Sequence, residues 1–204
     1  MSSISAAGLT QRPGRIPKVA LFGAAALIQL ALLAVMVADR VHILRAGTEV
    51  TLQTEPVDPR DLFRGDYVTL NYDISRLPAG ALKDQRASGG NPIVYVKLAP
   101  NQDGIYQAIS VHAEAVAVQS PEVLIRGRVL YGAYCGPTRD RFCDSLQIRY
   151  DLESYFVPEG EGRKLEQAGN QHKLIVVAAV APSGRAAIKR LLVDGQPFYD
   201  EPWF

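Results

Sequence analysis

Twenty consecutive residues without a charge, Val19 to Ala38 (VALFGAAALIQLALLAVMVA), constrain this chain more than anything else in it. Gln29 is their only polar side chain. At about 1.5 Å per residue such a helix is about 30 Å long, the thickness of a bilayer's hydrocarbon core. Ten of the twenty are Val, Leu, Ile or Phe. At about −0.3 to −0.6 kcal/mol each they favour insertion by roughly −3 to −6 kcal/mol, before the cost of Gln29. A cleaved signal peptide has a shorter apolar core, of about 7–15 residues, and a small-residue exit. Here Met36-Val37-Ala38 places Met where a small residue is wanted. A buried helix of a soluble protein is the remaining alternative. The uncleaved membrane anchor is the reading the residues favour.

The flanks suggest an orientation. Arg12, Arg15 and Lys18 precede the run with no acid among them, and Asp39, Arg40 and Arg45 follow it. Basic residues stay on the cytoplasmic side, so the expectation is N-terminus inside and C-terminal domain outside. Residues 1–18 then form a cytoplasmic tail, 19–38 a transmembrane helix, 39–47 a linker and 48–204 an extracytoplasmic domain. That domain is slightly acidic: 19 bases face 21 acids beyond the run. A surface of that balance does not attract nucleic acid over long range. Within the run, Ala20, Ala24, Leu27, Ala31, Ala34 and Ala38 fall on one stripe. Small residues let a second helix approach, although seven alanines in twenty residues also produce such a stripe by chance.

From Thr48 onward the apolar pattern has period two, the signature of strands. Val50 and Leu52 alternate with polar neighbours, as do Val68, Leu70, Tyr72 and Ile74. Ile93–Leu98, Tyr106–Val118, Val123–Tyr131 and Leu146–Leu152 behave alike. Leu174–Val180 is continuously apolar, as for a strand buried on both faces. Ala186–Val193 fits a last strand or a short helix, and Gly162–Ala168 one or two helical turns. Turn residues such as Asp103-Gly104, Ser183-Gly184 and Asp194-Gly195 punctuate the runs. The expected fold is mainly β: an N-terminal transmembrane helix, then a β-sandwich or partly open β-barrel-like domain.

Two blocks carry a resemblance. Gly65-Asp66-Tyr67-Val68-Thr69-Leu70-Asn71-Tyr72 matches the pattern GDYXXLXY in full, and Tyr155-Phe156-Val157-Pro158-Glu159-Gly160-Glu161-Gly162 lies about 90 residues on. Together with the anchor, these blocks resemble the GDYXXLXY family of membrane-anchored bacterial proteins, over most of the chain. That family has no established activity, and the resemblance implies an accessory role beside a multi-pass membrane protein. The residues themselves allow two readings of the first block. Gly65 suits a turn into a strand, and Asp66 can accept backbone N–H groups there. Arg60 and Arg64 with Asp58, Asp61 and Asp66 then brace a structural turn, or Arg64, Gly65, Asp66, Tyr67, Leu70 and Tyr72 form a binding edge. Tyr155, Pro158, Glu159 and Gly160 allow the same two readings.

Catalytic and metal-binding patterns are weak. Pro59 followed by Gly65-Asp66 is similar to membrane-anchored signal peptidases, but no Ser lies between Thr54 and Ile74 to act as nucleophile. His42, His112 and His172 lack spaced partners, and neither acidic cluster has calcium-loop spacing. No metal or cofactor is expected. The favoured function is a non-catalytic interaction protein of the bacterial inner membrane, with its domain in the periplasm. An envelope hydrolase using carboxylates near Asp66 or Glu159 is the alternative. Cys135 and Cys143 sit in a segment between two expected strands, Gly132–Ser145. In an oxidising compartment they are expected to form a structural disulfide.

Overall fold

The computed structural model describes residues 18–56, 67–83, 91–131, 145–157 and 162–200, with only the backbone of Tyr67, Ala79, Tyr131, Arg163 and Glu166. It divides the chain into two units, Met1–Asp39 and Arg40–Phe204. The first unit holds most of helix α1 (Lys18–Ala46), and its apolar side chains are exposed. By length and composition α1 is the one described helix able to cross a membrane.

The helix does not stop where the apolar run stops. Residues 39–46, expected as part of a linker, continue α1 to Ala46. Asp39-Arg40-Val41-His42-Ile43-Leu44-Arg45 is too charged for lipid, yet it carries an ordinary amphipathic stripe. Ile43 and Leu44, which belong to the second unit, pack with Ala179 and Ala187 of that same unit. The helix ends at Gly47, whose N–H donates to the carbonyl of Ile43 at 2.9 Å. A Cβ on Gly47 would lie 2.5 Å from that carbonyl oxygen and 3.0 Å from Val180 N, so any side chain at this tight entry into the first strand requires the main chain to shift.

The second unit is mainly β, as the alternation predicts. One five-stranded antiparallel sheet has the order β12 (Gln196–Asp200), β11 (Ala186–Val193), β10 (Leu174–Val180), β1 (Thr48–Glu55) and β3 (Asn71–Tyr72). The other has the order β4 (Arg76–Pro78), β8 (Ser145–Arg149), β7 (Val123–Tyr131), β5 (Ile93–Pro100) and β6 (Tyr106–His112). A two-stranded ribbon joins β2 (Tyr67–Thr69) to β9 (Ser154–Phe156). Inward residues of both sheets, among them Val50, Leu52, Val94, Val96, Ile125, Ile148, Val176 and Leu191, make one core. Along β1, Thr51 bridges Ile105 just ahead of β6, so the sandwich closes toward a barrel on that side. Helix α2 (Gly162–Asn170) adds Leu165 and Ala168 to the same core.

Several local expectations resolve here. Leu174–Val180 is the central strand, buried on both faces at all but one position. Ala186–Val193 is a strand, because β10 and β12 pair with it on either side. Asp194 and Gly195, with φ of 50° and 76°, make the two-residue turn that returns it as β12. The strand expected over 106–118 stops at His112. Its last pair with β5 is His112 opposite Tyr95. The run 68–74, which reads as one strand, is broken at Leu70: β2 pairs with β9, and β3 turns to β1.

Candidate functional site

The two motif blocks, some 90 residues apart in sequence, meet as the antiparallel ribbon. Tyr67 is opposite Phe156, Val68 opposite Tyr155 and Thr69 opposite Ser154. One residue further, Leu70 N–H donates to the carbonyl of Glu153 at 2.8 Å. Val68, Leu70, Tyr72 and Ile74 are all buried, as their shared parity requires. Leu70, Tyr72 and Tyr155 therefore belong to the core.

Tyr72 is completely buried, and its hydroxyl donates to the carbonyl of Leu152 at 2.6 Å. Tyr150 returns the contact: its hydroxyl donates to the carbonyl of Ile74 at 2.6 Å. Two phenols thus cross between the segments 70–75 and 150–153, each satisfying a main-chain carbonyl of the other segment. Burial, and after it the charge of Glu153, pushes both phenols well above the ordinary tyrosine range. Each keeps its proton and donates at every physiological pH.

Glu153 closes the arrangement. Its Oε1 accepts the Tyr150 N–H at 2.6 Å, while its Oε2 is buried with no hydrogen-bond partner. The Arg149 Nε lies 3.8 Å from that oxygen, on a side chain more than half exposed. Burial pushes the Glu153 carboxyl up, against the opposing pull of the backbone N–H groups and Arg149. Nearby, Tyr155 meets the Tyr199 ring edge to face, with centroids 5.6 Å apart, which ties the ribbon to β12. At the neighbouring end of β1, the Thr54 hydroxyl donates to Leu174 O at 2.7 Å and Asn71 Nδ2 to Glu55 at 3.2 Å. Burial raises the Asp73 carboxyl; the Glu55 charge raises it further, and His172 lowers it.

Chemically this is a clasp. Its phenol protons are held by carbonyls, and among the described residues Oε2 of Glu153 is the one buried side-chain oxygen or nitrogen without a hydrogen-bond partner. Among the described residues no three His, Cys, Asp or Glu side chains come together to hold a metal. Of the residues singled out in the sequence, Arg64, Gly65, Asp66, Pro158, Glu159, Gly160, Cys135 and Cys143 lie outside the described residues, and Tyr67 contributes its backbone alone. Sequence reasoning missed the part that Tyr150 and Leu152 play here. Their signal was present but faint: Tyr150 and Leu152 continue the alternation of Leu146 and Ile148, which puts them on the core side.

The family model described as GDYXXLXY protein matches residues 29–191, which takes in both blocks, the clasp and nearly all of the two sheets. No curated protein and no solved structure matches the chain.

Proposed function

The chain belongs to the GDYXXLXY family, and from that premise we propose that it is a membrane-anchored accessory protein of the bacterial envelope, acting by binding rather than by catalysis. The observation that carries this reading is where the signature residues go. Leu70 and Tyr72 are enclosed in the core and bonded to the 150–153 segment, so they build a rigid platform and face no substrate. The apolar helix supplies single-pass anchoring, and the β-domain supplies surface. The basic flank Arg12, Arg15 and Lys18 orients it with the N-terminus in the cytoplasm and the domain in the periplasm. A multi-pass membrane protein is the partner class that suits an anchor with a small-residue stripe.

Topology is the first test. A periplasm-active reporter fused after Phe204 is expected to be active. Activity of a cytoplasm-active reporter there instead overturns the orientation and the reading with it. The same placement implies a Cys135–Cys143 disulfide, closing a nine-residue loop. Loop closure of that size is worth about 2.6 kcal/mol. Thiol labelling of the membrane-inserted chain is expected to need prior reduction. Full labelling of both cysteines without reductant rules the bridge out.

A further inference from the structure

The outer face of the β4–β8–β7–β5–β6 sheet has a charge pattern that anchoring and core packing do not require. Val94, Val96, Ile125, Val129, Leu146 and Ile148 point to the core. By the two-residue period, Ile93, Tyr95, Lys97, Arg126, Arg128 and Arg149 face outward. Register sets Arg128 between Ile93 and Arg149, and Arg126 opposite Tyr95. Like charges directly opposite one another destabilise a sheet, so Arg128 and Arg149 work against the fold.

The other sheet treats its bases differently. There Lys189 meets Glu49 at 2.7 Å, and Arg190 meets Asp200 at 2.9 Å. Ile43 and Leu44 also cover that sheet at Ala179 and Ala187. On the basic face, Lys97 has Glu122 at 2.7 Å, and Arg149 has, among the described residues, the distant Glu153 at 3.8 Å. Arg128 donates to a neutral acceptor, the carbonyl of Asn91, at 3.3 Å. No carboxylate among the described residues pairs with Arg126 or Arg128. The domain as a whole is slightly acidic, so this positive field is local to one face.

We propose that this face docks an extended acidic segment of a partner protein, with carboxylates on Arg126 and Arg128 and the chain lying over Tyr95 and Ile93. Guanidinium groups suit the role, because they take carboxylates two bonds at a time and are only weakly hydrated. Arg126 and Arg128 are two residues apart on one strand, about 7 Å, the same repeat as alternate side chains on an extended peptide. Ile93 is 42% exposed beside them and offers apolar contact to whatever lies there. The inference rests on the accessory reading and gives its partner a chemistry. The reporter fusion and the binding experiment fail independently of each other.

The test uses the full chain in nanodiscs of zwitterionic lipid. The probe is a fluorescent peptide with Glu at alternate positions; its control has Gln there. The Glu peptide is expected to bind, and to bind more weakly as salt rises from about 0.05 to about 0.5 M. Arg126→Gln with Arg128→Gln is expected to weaken binding about tenfold or more. Arg126→Lys with Arg128→Lys is expected to bind more tightly than the double Gln variant and more weakly than the wild type, which separates charge from folding. Arg190→Gln, on the other sheet, is expected to leave it unchanged. Equal binding of the Gln peptide, or undiminished binding by the double Gln variant, overturns the proposal.

Discussion

Tyr72 is a large aromatic side chain with no exposure at all, and its one hydroxyl proton serves a backbone carbonyl 80 residues away. Changing it to Phe keeps the packing and leaves the Leu152 carbonyl without that donor. An unsatisfied buried group costs about 1–3 kcal/mol, so urea unfolding of the full chain in micelles should show Tyr72→Phe destabilised by that amount. Tyr106→Phe loses only an exposed 3.3 Å contact to Pro121 and should lie near the wild type. Wild-type stability from both variants would mean that the phenol bridges carry nothing. Glu153 gives a pH-dependent counterpart. Its carboxyl is raised in the folded state, so the folded chain holds its proton at pH values where the unfolded chain has released it. Stability therefore falls as pH climbs through the ordinary carboxylate range to the raised value, and the full cost is present above it. Glu153→Gln removes a charge from a buried oxygen and keeps an acceptor for the Tyr150 N–H. The variant should exceed the wild type in stability at neutral pH and converge on it in acid. A difference that stays constant with pH would count against a buried, strained carboxylate.

The junction of α1 and β1 is where the element scale is most sensitive. Gly47→Ala forces a methyl against the Ile43 carbonyl and Val180 N. Relief requires main-chain movement, and overpacking of this kind costs about 1–3 kcal/mol. Ile43→Ala opens a void over Ala179 and Ala187 and should cost about 2–5 kcal/mol. Thermal unfolding of the full chain in nanodiscs measures both, and an unchanged midpoint would show that the last turn of α1 is not docked. This junction also shows what the sequence hides. Hydropathy marks the edge of the lipid, not the end of the helix, so Asp39 was legible as a boundary of one kind and not of the other. The partner switch at Leu70 was hidden for a related reason. Alternation reports which face of a strand is buried, and that parity survives from Val68 to Ile74 even though the chain changes sheets midway. Element type and core-facing side chains were readable at Leu174–Val180, a short run rich in β-branched residues that is too brief for a typical helix. The pairing of Thr69 with Ser154 was not, because register across 85 residues depends on backbone groups that every residue shares.

For the whole molecule, the strand order separates early from late chain. β1 is the first strand, yet most of its hydrogen bonds go to β10, with Thr48 opposite Val180 and Gln53 opposite Ile175. Contacts between residues so far apart must overcome a large loop-closure entropy before they stabilise anything. During synthesis β1 therefore emerges long before its partner exists, and the chain must be made through Val180 of its 204 residues before the central sheet can form. A premature stop ahead of Leu174 would leave Val50 and Leu52 without a partner strand, in a chain whose anchor is already complete. Such fragments would present the unpaired edge of β1 as a template for pairing with another chain.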